Sequence, residues 1–128
     1  MAKSVIFSSQ APAPIGPYSQ AILAGNMIFV SGQIAIDQPS GQLITSSGIE
    51  DETRQVMKNL HAVLTAAGMD FSHIVKTSIF LKDMNDFPKV NNIYGEYFPQ
   101  NPPARETVEV SRLPKDVHVE ISCIAVRD

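Results

Sequence analysis

The stretch "PARETVEVSRLPKDVHVEIS", Pro103 to Ser122, decides how this chain is read. Two alternating runs flank the turn residues "LPKD", a pattern that predicts a β-hairpin. Alternate residues of a strand share a face. In the last strand Val117, Val119, Ile121, Cys123 and Ala125 fall on one face. His118, Glu120, Ser122, Ile124 and Val126 fall on the other. A hairpin then pairs Val108 and Val110 with Val119 and Ile121, leaving Thr107, Glu109 and Ser111 beside His118, Glu120 and Ser122. Arg105 has the parity of Thr107. The pattern therefore predicts Arg105 and Glu120 on one polar face, within a few residues' reach. Such a face has two readings. One is plain solvent exposure, common in antiparallel sheets. The other is a partly buried patch at an interface, because Ile124 and Val126 continue the same face as apolar residues. There a carboxylate and a guanidinium are costly unless paired or used.

Working outward, Ser4 to Phe7 is a short strand, followed by the rigid loop "APAPIGP". Tyr18 to Ala24 and Met27 to Ile36 are two strand-like runs, joined by the two-residue turn Gly25-Asn26. "GIEDETRQVMKNLHAVLTAAG" is the clearest helix, with Val56, Leu60, Val63, Leu64 and Ala67 at helical spacing. Acidic residues crowd its first turn and Gly68 closes it. Ile74 to Leu81 is a strand. "DMNDFPKVNNIYGEYF" is a second helix with Pro88 in its first turn. Its stripe reads Phe87, Val90, Asn91, Tyr94, Tyr97 and Phe98, with Asn91 the one amide among apolar residues.

The order is strands, helix, strand, helix, two strands. It predicts an α/β (α+β) fold: a mixed, mainly antiparallel sheet with both helices on one face. Several strands are nevertheless apolar on both faces, as where Ile28 and Val30 alternate with Met27 and Phe29. No chain is left to cover the second face, so other subunits are expected to cover it.

Composition narrows the function. At 128 residues, one domain over 1–128 is the expectation. The net charge of −3, with no basic cluster, argues against nucleic acid as the main partner. No apolar run approaches the ~20 residues of a membrane span, and the N-terminal apolar run is too short for a secretory signal. The lone Cys123 excludes an internal disulfide and fits a reducing, cytoplasmic compartment. His61, His73 and His118 lack metal-ligand spacing, so no metal is expected.

"PPAR" followed by "VEVSRLPKDVHVEI" resembles the C-terminal signature of the RidA family, the reactive intermediate deaminases also called YjgF-type proteins. "IGPYSQA", "VSGQI", "TRQVMKNLHAVLTAAG" and "DFPKVNNIYGEYF" match that family in the same order, so the resemblance covers nearly the whole chain. It implies a chorismate-mutase-like fold and a homotrimer with clefts between subunits. It also implies hydrolytic deamination of 2-imino acids, such as those derived from 2-aminoacrylate, without metal or organic cofactor, which protects pyridoxal-phosphate enzymes.

By position, the resemblance makes Arg105 the holder of the substrate carboxylate, a task suited to a planar, bidentate guanidinium. It makes Glu120 the group that activates the attacking water. Tyr18, Ser31, Gly32, Asn91 and Thr107 match cleft positions. The residues alone leave plainer roles open: a helix–sheet hydrogen bond for Asn91, packing for Tyr18, a strand bulge at Ser31 and Gly32. This chain departs from the common bacterial pattern at Glu106, Thr107 and Ser122, where a small residue, a cysteine and an acid are usual. Two other functions compete with the deaminase reading. One is a non-catalytic sensor of small carboxylates or keto acids. The other is endoribonuclease or translation inhibition, against which the acidic balance argues.

Overall fold

The computed structural model describes residues 2–128. Its strands are β1 (Ser4–Ile6), β2 (Ala21–Ala24), β3 (Met27–Gln33), β4 (Ile74–Leu81), β5 (Ala104–Glu109) and β6 (Val119–Val126). The helices are α1 (Ile49–Ala66) and α2 (Phe87–Gly95). The β2–β3 hairpin turns at Gly25-Asn26 as its sequence requires. Helix α1 buries Val56, Leu60, Val63 and Leu64 completely, the stripe its spacing predicts. Each such aliphatic contributes ~1.5–3 kcal/mol by leaving water. Gly68, at φ 72°, ends α1 in a paired-carbonyl cap. Its N–H donates to Thr65 O, and that of Met69 to Leu64 O, both at 2.9 Å.

The six strands form one mixed sheet in the order β1-β2-β3-β6-β4-β5. Only β4 and β5 run parallel; the other neighbours are antiparallel. Helix α2 is the crossover between β4 and β5, and α1 connects β3 to β4 across the intervening β6. Both helices lie on the same face, as expected for this mixed α+β architecture. They cover Ile28 and Val30 of β3, Ile79 and Leu81 of β4, and Val119, Ile121, Cys123 and Ala125 of β6.

The expected C-terminal hairpin does not form. β5 and β6 run in opposite directions, but β4 lies between them. The connecting segment bends through a 3-10 turn at Pro114–Asp116, with Lys115 and Asp116 at positive φ. It delivers β6 to the centre of the sheet. The physical reason lies in the two strands' composition. β6 alternates buried with half-buried residues along its length, which suits a strand flanked on both sides. β5 is almost wholly exposed and carries Arg105, Glu106 and Glu109, which suits an edge. Period-2 alternation identifies a strand without naming its neighbour.

Among the described residues, no element covers the other face of the sheet. Phe29 and Val108 are 43% and 42% exposed there. Val5, Ile22 and Ile124 share that face by register. The uncovered apolar face anticipated from the strand patterns is present. No helix is long and apolar enough to cross a membrane among the described residues.

Candidate active site

Arg105 sits on the edge strand β5, in register with Thr77 of β4, which in turn pairs with Cys123 of β6. Its side chain therefore rises on the helix-covered face. Phe87, Asn91 and Tyr94 of α2 are spaced i, i+4 and i+7, so they share one side of the helix. That side meets the guanidinium. Its central carbon lies 5.5 Å from the Phe87 ring centroid and 5.1 Å from that of Tyr94. Arg105 Nη1 donates to Asn91 Oδ1 at 2.8 Å. Tyr94 is itself fixed: its hydroxyl and the Thr77 hydroxyl are 2.7 Å apart in the core, and burial pushes its phenol pKa up. The guanidinium is thus oriented by two rings and one amide, and no carboxylate is paired with it among the described residues. Thr107 follows on the same side of β5, and its buried hydroxyl has no hydrogen-bond partner among the described residues.

Glu120 occupies the opposite face. Its β4 partner is Phe80, which pairs with Val108 rather than with Arg105. The shared face predicted for Arg105 and Glu120 is therefore overturned: the sheet itself separates them within one chain. The cause is the inserted strand β4, whose register puts Val108 in Glu120's row and Arg105 in that of Cys123.

Glu120 borders a cleft of about 370 Å³ lined by Ile15, Tyr18, Ser31, Gly32, Ile34 and Pro114. The β3–β6 register shifts between Val30 and Gln33, so Ser31 and Gly32 form a bulge directly beside it. A Cβ on Gly32 would stand 2.1 Å from Glu120 Oε2, so any larger residue here displaces the Glu120 carboxylate. The carboxylate packs against the glycine backbone. Half-buried there, its pKa is raised by desolvation. Ser31 donates from Oγ to Ser19 O at 2.6 Å, which ties the bulge to the segment carrying Tyr18. Gln20, buried, holds the preceding loop. It accepts from Ser8 N at 2.6 Å and donates to Pro12 O at 2.9 Å. Tyr18 is 48% exposed at the mouth of the cleft.

Tyr18, Ser31, Gly32 and Glu120 thus come together on one side of the sheet, and Asn91, Arg105 and Thr107 on the other. Asn91 does not lie on α2's buried stripe; it is exposed, and Ile93 takes the core position with Val90 and Tyr94. The helix closes at Gly95, and its rotation aims Asn91 at the sheet edge. His118 does not share Glu120's face either. It precedes β6, and its ring turns to Glu52 of α1.

A family model described as Endoribonuclease L-PSP matches residues 8–127. A solved structure from Yersinia pestis, described as a member of the conserved Rid protein family, superposes with a TM-score of 0.95 at 50% identity. It covers 98% of this chain and 100% of that one. The chain belongs to the RidA (YjgF) family. A RutC family protein of Pyrococcus horikoshii is 54% identical over 98% of this chain and 99% of its own length. The human protein named 2-iminobutanoate/2-iminopropanoate deaminase is 47% identical over 98% of this chain and 90% of its own length.

The departures of this RidA-family chain now have physical places. Glu106 points away from Arg105, to the open face. There it accepts a hydrogen bond from the Ser78 hydroxyl and lies 3.2 Å from Lys76 Nζ. The Ser78 hydroxyl and then Lys76 lower its pKa. Its carboxylate therefore lies on the side of the strand opposite the Arg105 guanidinium. Cys123 faces the core, where burial pushes its thiol pKa up to about 12. Phe87 and Tyr94 were readable only as core stripe residues; their spacing around Asn91 was the available signal of a cradle.

Proposed function

We propose that the chain hydrolyses 2-imino acids to 2-keto acids and ammonia, in sites formed where copies of it join across the open sheet face. The observation that carries this is the prepared guanidinium of Arg105, cradled by Phe87, Tyr94 and Asn91 with no carboxylate of its own. Such a fork suits a small carboxylate held in two parallel hydrogen bonds. The name borne by the human relative supplies the substrate class. A trimer is the assembly we infer, with Arg105 of one copy facing the Glu120 cleft of the next.

In this site Arg105 fixes the substrate carboxylate, so the imine carbon has a defined position. Glu120 accepts a proton from a water as that water attacks the imine carbon. Glu120 returns that proton to the imine nitrogen, giving a carbinolamine. The carbinolamine's hydroxyl proton then moves by way of Glu120 to the nitrogen as the C–N bond breaks, so ammonia leaves and the keto acid remains. A raised pKa suits this role, because a base of higher proton affinity accepts a proton more readily. Tyr18, Ser31 and Gly32 line the side on which the water stands, and Thr107 borders the carboxylate. A free imine already hydrolyses in water, so positioning and modest acid–base help suffice. The chemistry asks for no metal or organic cofactor.

The test uses an imine made in situ by an amino acid oxidase, with keto acid formation as the readout. Arg105→Ala and Glu120→Ala should each remove the acceleration, a loss of about 100-fold or more, while the protein stays folded. Wild-type rates from Arg105→Ala would refute the assignment. Binding of keto acid with no turnover by the wild type would favour a sensor instead.

A further inference from the structure

Glu52 is a buried carboxylate that the proposed reaction leaves unused. It stands in the first turn of α1 and is 0% exposed. Its Oε2 accepts from the backbone N–H of His118 at 2.7 Å and of Val119 at 3.2 Å. Its Oε1 accepts from His118 Nδ1 at 2.7 Å. A carboxylate this deep is retained only when its lone pairs are filled, and here three donors fill them. Core packing alone would be served better by an apolar side chain.

What Glu52 grips is the start of β6, one residue before Glu120. The ladder shows why a grip is needed there. β3 accompanies β6 only as far as the pair Gln33 and Ile121, which lies past the register shift at Ser31 and Gly32 and is where β3 itself ends. At Glu120 the strand is paired with β4 alone, through Phe80 and Glu120, Leu81 and Val119. Lys82 N adds one bond to His118 O at 3.0 Å. Glu52 supplies hydrogen bonding where the β3 ladder has stopped. The Glu120 carboxylate packs against the Gly32 backbone, where an added carbon would displace it.

We infer that Glu52 is a positioning residue: clamped to the His118 and Val119 amides and the His118 ring, it holds the start of β6 so that the Glu120 carboxylate lies over Gly32. This rests on the reading of Glu120 as the water-activating group. Arg105 stands on β5, outside this clamp, so the clamp acts on turnover and not on carboxylate binding.

The experiment measures kcat per folded protein, KM and the acid limb of the rate profile for Glu52→Ala, Glu52→Asp and Glu52→Gln. Folded fraction is read by circular dichroism at the assay temperature. Glu52→Ala should lower kcat about 10- to 100-fold, the effect of misplacing a reacting group by around an ångström, with KM within about twofold. Its acid limb should move to lower pH as Glu120 gains solvent. Glu52→Gln keeps an acceptor oxygen for the amides and should retain kcat within about threefold. If Glu52→Ala does not fold, Glu52→Asp decides, because its carboxylate is one methylene short of the amides. A folded Glu52→Ala or Glu52→Asp with wild-type kcat and acid limb overturns the clamp, as does an equal rise in KM. Wild-type turnover by Glu120→Ala would instead strike the reading of the site itself.

Discussion

The two halves of the site are built differently. The Arg105 half is complete in one chain: α2 brings two rings and an amide to the guanidinium, and Thr77 locks one of those rings from the core. The Glu120 half is a shallow cleft, closed on one side by the Gly32 bulge and open on the other. One half lies on the helix-covered face at the sheet edge, the other near the centre of the uncovered face. A binding group can be finished by local packing, because a guanidinium needs only orientation. A water-activating carboxylate needs a partly dry wall around it, and under the proposed function a neighbouring copy completes that wall.

The largest expected effect comes from breaking the cleft half. Gly32→Ala puts a methyl group where Glu120 Oε2 stands, and turnover should fall about 100-fold with KM little changed. A rate within a few-fold of wild type would mean that Glu120 has freedom the structure does not show. The pH profile sharpens the same half. Glu120 must be ionised to act, and desolvation raises its pKa, so the rate should fall as pH drops through a value above the ordinary carboxylate range. An acid limb at or below that range would mean another group limits the reaction. Breaking the binding half by Asn91→Ala loosens the guanidinium without removing it. KM should rise up to about tenfold and kcat should hold, as for loss of one hydrogen bond to a charged group. Thr107→Val removes an unpartnered buried hydroxyl at little change in volume and should leave stability equal or higher by about 1 kcal/mol in urea unfolding. The smallest effect belongs to Glu106→Gln: its charge lies across β5 from Arg105, so KM should not change.

Much of this fold is legible in the sequence. The β2–β3 turn, the α1 stripe with its glycine stop, β4 to the residue, and a sheet face without cover all follow from local pattern. The order of the last two strands does not. Alternation in "RETVEV" and "VHVEISCIAV" identifies strands, but the short turn between the runs suggests a hairpin, whereas β6 takes the centre because its residues are buried or half-buried along its whole length. The mispairing put Arg105 and Glu120 on one face. Their roles under the family resemblance do not depend on that geometry, but the proposed assembly does: if residues on opposite faces of one sheet act on one substrate, they do so across two copies. Asn91 reads in the sequence as the polar member of an apolar stripe, but it is exposed and off that stripe, with Ile93 in the core position. Glu52 could not be found at all, since an acid in the first turn of a helix reads as ordinary end chemistry.

The central claim is that Arg105 and Glu120 act together from different copies of the chain. Mixing Arg105→Ala with Glu120→Ala, unfolding them together and refolding tests it directly. Each variant alone is expected to be inactive. If each site takes Arg105 from one copy and Glu120 from its neighbour, random assembly of an equal mixture restores about a quarter of the wild-type rate, because half the copies carry each intact residue. No recovery above the separate variants, from a mixture shown to have exchanged subunits, would contradict it.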